Sequence, residues 1–157
     1  MPAEILDGRT LAQQVRTQVA VEAAEHASRT GVVPGLAVIL VGDDDPVVRV
    51  AIQRSLESNG YRCRLADDGA TTFAMARTEP PDAIILDINM PGMDGFQVLY
   101  SLRNVWATRF IPVLMLTASH DRQDVMRGGL LGASDYMTKP FDLETLVTRV
   151  DRLLASR

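Results

Sequence analysis

Apolar runs and helically spaced stripes alternate along most of this chain. Before residue 120 four runs stand out: "LAVILV" (36–41), the weaker, alternating "YRCRLA" (61–66), "AIILDI" (83–88) and "IPVLMLT" (111–117). A fifth, shorter candidate is "SDYMT" (134–138). Continuous apolar runs of this length suit strands covered on both faces, as in a parallel sheet. Between them lie segments with helical spacing. "PVVRVAIQRSLESNG" (46–60) opens with Pro46, which fits a first helical turn, and closes at Gly60, which fits a stop. Val48, Ile52, Ser55 and Leu56 share its apolar stripe. "DGATTFAMARTEPP" (68–81) is stopped by paired prolines, and "DGFQVLYSLRNV" (94–105) spaces Phe96, Leu99 and Leu102 at i, i+3, i+6. "DRQDVMRGGLLGA" (121–133) and "DLETLVTRVDRLLAS" (142–156) complete the set. In the last, Asp142 is the predicted N-cap, and Leu143, Leu146, Val147, Val150 and Leu154 form the buried stripe. Strands alternating with helices predict right-handed crossovers and an α/β, doubly wound sheet.

Residues 1–35 stand outside the alternation and are predicted as an N-terminal helical extension to a main domain over 36–157. "DGRTLAQQVRTQVAVEAAEHASRTG" (7–31) carries Leu11, Val15 and Val19 at i, i+4, i+8, with Thr10 as cap and Gly31 as stop. A lone helix is marginal in water, so this one needs a surface to lie against.

Composition narrows the classes. At 157 residues and 46% hydrophobic, the chain can bury one sizeable core. A formal net charge of -4 argues against general nucleic-acid binding. The longest apolar run, Leu36 to Val41, is too short to span a bilayer, and "MPAEILDGRT" lacks the basic-then-apolar order of a signal peptide. A cytoplasmic protein without a membrane partner is expected. Cys63 is the single cysteine, and His26 and His120 are the two histidines, so an internal disulfide and a histidine-rich metal site are excluded, and Cys63 cannot build a thiolate zinc site alone.

Chemistry concentrates where the predicted strands end, the place where open parallel sheets form their sites. The first strand runs into Asp43-Asp44-Asp45, the third into Asp87 and then "INMPG", the fourth into Thr117-Ala118-Ser119, and the fifth into Lys139-Pro140. Acids, a hydroxyl and one amine on a single rim suit a divalent cation bound through oxygen, with magnesium favoured over zinc. One aspartate can then act as nucleophile toward a phosphoryl group, with metal and lysine opposing its charge. The plainer alternative treats the acid triplet as a solvated helix cap, which Asp45 alone suits.

The motifs "DDDPVVR", "IILDINMPGMDG", "LMLTAS" and "GASDYMTKPFD", in order, resemble a response-regulator receiver domain from about Ile39 onward. The resemblance implies the CheY-like, flavodoxin-like fold, five parallel strands in order 2-1-3-4-5. It implies that Asp87 is the phosphoacceptor and that Asp44, Asp87 and the Asn89 backbone carbonyl hold Mg2+, with Asp43 assisting. Lys139 would pair with the phosphoryl group, Thr117 would follow it on activation, and Tyr136 would be the switch aromatic. The Lys139–Pro140 bond is often cis in this family. A histidine kinase or small phosphodonor would supply the phosphoryl group. Such a domain is not an enzyme beyond assisting its own phosphorylation and dephosphorylation.

A second resemblance covers the start. "ILDGRTLAQQVRTQV" followed by "GVVPGLAVILVGDD" is similar to the N-terminus of methylenetetrahydrofolate dehydrogenase/cyclohydrolase, from about Ala3 to Asp44 or Pro46. The two signatures meet at "VGDDDP", which suggests a chimera. Gly42 follows the folate enzyme, where receivers usually carry a larger aliphatic residue. That family's catalytic tyrosine-and-lysine motif does not follow, so no folate chemistry is expected. The rival readings are a recombined scaffold silent in signalling, with Asp43 and Asp44 shifted by the foreign strand, and a folate-binding fragment. No DNA-binding segment is expected after residue 157. Output would run through protein contacts, including a homodimer through the last strand and helix or the N-terminal helix.

Overall fold

A computed structural model describes residues 37–118 and 122–156. In chain order these form β1 (Val38–Gly42), α1 (Pro46–Ser58), β2 (Arg62–Ala66), α2 (Gly69–Thr78), β3 (Ala83–Asp87), α3 (Gly95–Arg103), β4 (Val113–Thr117), α4 (Arg122–Leu131), β5 (Asp135–Thr138) and α5 (Leu143–Ala155). The five strands build one sheet in the order β2-β1-β3-β4-β5, every pair parallel. This is the doubly wound sheet expected from the alternation, in the flavodoxin-like strand order that the receiver resemblance implies. The extra helix predicted over the N-terminal segment, with Thr10, Leu11, Val15 and Val19, lies outside the described residues, as does Ser119.

Two-sided burial explains the unbroken apolar runs. Ile39, Val41, Ile85, Leu114 and Leu116 face a core shared with Ile52 and Leu56 of α1 and with Leu146, Val150 and Leu154 of α5. Leu40, Ile84, Leu86, Val113 and Met115 face the opposite core, shared with Ala76 of α2 and Phe96, Leu99 and Leu102 of α3. Successive strand side chains point to opposite faces, so both faces must be apolar. β2 is an edge strand, and its Arg62 and Arg64 account for the weaker pattern there.

The helix ends follow the sequence signals. Asp45 caps α1 by accepting from the Val47 N–H, Asp68 caps α2 from Thr71, and Asp142 caps α5 from Glu144. Asp94 and Gln97 form a reciprocal capping box on α3. Each such cap contributes about 1 kcal/mol. Leu153 joins the predicted stripe of α5 as a further buried residue, while Leu143 is only partly covered. β4 starts two residues later than its apolar run, because Pro112 has no N–H to give the ladder.

Candidate functional site

β1 delivers Asp43 and Asp44 to the carboxyl edge of the sheet, and the two part there. Asp43 is fully buried, whereas Asp44 is exposed. One Asp43 carboxylate oxygen accepts the Asp45 N–H at 2.9 Å. The Asp43 backbone carbonyl accepts from the Arg49 guanidinium on α1 at 2.7 Å. Arg49 thus braces the loop from the first turn of the following helix, a reach that the motif "DDDPVVR" contains but does not announce.

Next along the edge, β3 ends in Asp87, 2% exposed. The Asn89 N–H lies 3.4 Å from its Oδ1. From the far side comes Lys139, one residue past β5. Its backbone N–H donates to the Thr117 carbonyl at 2.7 Å, and the Lys139–Pro140 peptide is cis. Its ammonium stands 3.0 Å from Asp43 Oδ2 and 3.3 Å from Asp87 Oδ1. Thr117 closes β4 beside Asp87, 3% exposed, since β3 and β4 pair Asp87 with Leu116. The five residues expected to converge from four strand ends, Asp43, Asp44, Asp87, Thr117 and Lys139, share one rim.

The charges there do not balance. Burial, then the neighbouring Asp43 carboxylate, pushes Asp87 up to about 6, with Lys139 and the Asn89 N–H pulling the other way. Burial disfavours the Lys139 ammonium, but the hydrogen bond to Asp43 and the charges of Asp87 and Asp43 outweigh it and hold its pKa above the ordinary lysine value. Asp43, Asp44 and Asp87 each offer an oxygen, all within 4.8 Å of one another. A set of three carboxylates against one ammonium, with oxygen donors only, fits a hard divalent cation. Asn89 itself is exposed and stands next to this cluster in the chain.

Gly42 is the last residue of β1. It pairs in register with Ala66 and Leu86, and the buried Thr72 side chain of α2 fills the space that a larger residue would need. Neither Thr72 nor Arg49 was marked by the sequence pattern. Both act through shape and backbone contacts that no single-residue signal carries.

Tyr136 is half-buried on β5 and donates its hydroxyl to the Asp124 carbonyl on α4 at 2.8 Å. Burial, then the Asp124 charge, raises its phenol above the ordinary value. Gly128 makes room for this ring: a Cβ there would stand 1.4 Å from the Tyr136 hydroxyl.

This fold and this rim define a class, and comparison with known proteins agrees: residues 39–151 match the response regulator receiver domain, and the chain belongs to that family. It is 46% identical over 116 residues to the DNA-binding dual master transcriptional regulator RpaA of Synechocystis sp., covering 74% of this chain and 48% of that protein. It is 43% identical, over the same length, to the response regulator MprA of Mycobacterium tuberculosis, of which 50% is covered. The chain therefore spans about half the length of these curated relatives. Among solved structures, the chemotaxis protein CheY4 of Vibrio cholerae superposes with a TM-score of 0.72 at 35% identity, covering 75% of this chain and 98% of that one. The receiver domain of the sensor histidine kinase PA1611 of Pseudomonas aeruginosa, solved with magnesium coordinated in its active site cleft, gives 0.70 at 30% identity, covering 77% and 98%. Among the described residues no helix is long and apolar enough to cross a membrane.

Proposed function

We propose that Asp87 accepts a phosphoryl group from a histidine kinase or a small phosphodonor. The observation that carries this reading is the placement of the Lys139 ammonium between Asp43 and Asp87, with the exposed Asp44 alongside. The carboxylate of Asp87 attacks phosphorus, an O–P bond forms, and the donor's P–N or P–O bond breaks with its electron pair leaving on the donor. Lys139 stays within reach of the transferred group and opposes the charge that Asp87 gains. The Thr117 hydroxyl, at the neighbouring strand end, is the candidate to bond the new phosphoryl oxygens. Tyr136 would then leave the Asp124 carbonyl as Thr117 moves.

Asp44, Asp87 and the backbone carbonyl of Asn89, with Asp43 assisting, are the residues that would hold Mg2+. When bound, the ion supplies positive charge against the phosphoryl oxygens. The likeness to PA1611 supports this choice of metal, as does the all-oxygen donor set. The domain catalyses nothing beyond its own phosphorylation and dephosphorylation.

A shallow apolar depression of about 480 Å³ lies beside Lys139, lined by Val47, Val48, Ala51, Pro140, Phe141 and Leu143. It is the surface we assign to a protein phosphodonor, because a partner seated there faces the rim that holds Asp87. The folate-enzyme resemblance of the N-terminal segment, and the chimera it suggests, rests on sequence motifs alone.

Incubation with an acyl phosphate or phosphoramidate and Mg2+ tests the central claim. Acid-labile, base-labile phosphate should appear on the protein and be lost in Asp87→Asn. Equal incorporation into that variant would remove Asp87 from the role.

A further inference from the structure

At the edge of the sheet opposite the acidic rim, the segment between α3 and β4 presents two large aromatic side chains to solvent. Trp106 is 78% exposed and Phe110 81%. Neither is there through slack in the chain. Thr108, between them, is fully buried and donates its hydroxyl to the Leu102 carbonyl at 2.7 Å. Arg103 grips the same segment through the Ile111 carbonyl at 2.8 Å. The aromatics are held outward on a fixed platform.

Between them lies Arg109, its guanidinium carbon 4.1 Å from the Trp106 ring centre and 4.5 Å from that of Phe110. Its Nε is buried and has no hydrogen-bond partner among the described residues. A buried donor without an acceptor is costly, and exposed aromatics of this size mark contact surfaces. Among the described residues the platform therefore has neither an apolar cover nor an acceptor.

The parallel topology names the segment nearest to hand. β1 and β4 flank β3, and both begin at this edge: Val38 N–H donates to Asp82 at 2.7 Å, and Ile84 N–H, two residues on, donates to Pro112. The chain thus enters β1 at Ala37 two strand spacings from the start of β4, about 10 Å at the usual inter-strand distance. Thirty-six residues precede Ala37. From Val19 onward the chain covers that gap several times over, even at ~1.5 Å per residue. The segment also carries what the platform lacks: the apolar set Leu11, Val15 and Val19, and the acids Glu4, Asp7, Glu22 and Glu25.

We infer that the segment before Ala37 docks on the Trp106–Arg109–Phe110 platform of its own chain, with Leu11, Val15 and Val19 on the aromatics and an oxygen acceptor at Arg109. This assigns a place on the molecule, away from the phosphoacceptor rim, to residues that the receiver motifs do not use.

Trp106 is the single tryptophan, so its fluorescence reads the platform directly. In the full chain, emission should be blue-shifted from that of the urea-unfolded protein, and acrylamide should quench it several-fold less. Leu11→Asp/Val15→Asp/Val19→Asp should shift emission to the red and restore quenching. A cooperative melt with an unchanged Mg2+ response in that variant shows that the receiver fold is intact. Solvent-like emission from the native full chain would overturn the proposal. So would a triple variant that leaves Trp106 shielded. A blue shift that disappears on dilution would assign the cover to a second copy and overturn it equally.

Discussion

Gly42 and Thr72 compete for one volume. A Cβ built on Gly42 would stand 2.5 Å from Thr72 Oγ1 and 2.9 Å from its methyl. Thr72 is fully buried and anchored, its hydroxyl donating to the Asp68 carbonyl at 2.7 Å, so it has little room to yield. The bulk beside this position is supplied from α2. Overpacking a filled core costs about 1–3 kcal/mol. Gly42→Ala should destabilise by that order, and Thr72→Ala by the loss of a bond and a methyl. The double variant should be more stable than the two single effects predict, by 0.5 kcal/mol or more, roughly the threshold for coupled neighbours. Urea melts of the four proteins give the answer; simple additivity would show that the two side chains do not share the space.

Lys139 and Asp87 should respond with opposite signs. Removing the ammonium in Lys139→Ala leaves Asp43 and Asp87 as buried like charges, and breaking such a pair costs up to about 3–5 kcal/mol. Removing a carboxylate in Asp87→Asn relieves that repulsion, so the metal-free protein should become more stable at pH 8. A loss of stability in both variants at pH 8 would contradict this ordering.

The pH dependence follows from the same pair. Asp87 titrates near 3.8 when unperturbed and is pushed up to about 6 in the fold. The neutral acid is the form the fold favours. Its contribution to stability is fully present below the unfolded value and lost as pH rises through about 6. Metal-free protein should therefore lose stability between about pH 4 and 6.5 relative to Asp87→Asn, which has no such group. Mg2+ competes with the proton for the carboxylate, so the stabilisation it confers should be large at pH 7.5 and small near pH 4.5. Thermal melts over this range, with and without Mg2+, check both statements.

What could be read in advance divides along physical lines. β1, β3 and β4 were legible because burial on both faces demands unbroken apolar runs, and Asp45 and Asp142 because caps use few residue types. The rim was legible because a parallel topology forces all strand ends to one edge, which brings Asp43, Asp87, Thr117 and Lys139 together from distant parts of the chain. Arg49, Thr72 and Gly128 were not legible. Their roles are to brace a carbonyl, fill a neighbour's missing volume and admit a ring, and each depends on a partner that only the folded chain brings against it. Trp106 and Phe110 carried no pattern either, since the periodicity of α3 has ended before them.

Cys63 on β2 should be inert in the native state. Burial, then the Glu57 charge, pushes its thiol up to about 12, and the thiolate is the reactive form. At pH 8 a disulfide exchange reagent should modify it only as fast as the surrounding structure opens. The rate should rise with urea in step with unfolding and fall when Mg2+ stabilises the fold. A fast, urea-independent reaction would place Cys63 in an open environment instead.

Gly128 sets the position of Tyr136. The ring lies against α4 with its hydroxyl on the Asp124 carbonyl, in space where any side chain at 128 would intrude. Gly128→Ala must therefore turn the ring outward or move the helix, and turning one half-buried ring breaks fewer contacts than shifting an element. Freed from burial and from Asp124, the phenol should titrate lower, toward its ordinary value. Tyr136→Phe, by contrast, keeps the ring and gives up one hydrogen bond, about 1 kcal/mol. NMR of ring-labelled tyrosine separates the cases, with Tyr61 and Tyr100 as internal references. If Tyr136 is the switch aromatic, Gly128→Ala should mimic part of the activated state, moving the Tyr136 resonance in the direction that beryllofluoride and Mg2+ move it in the parent. A shift in the opposite direction, or none, would separate the Gly128 contact from the switch.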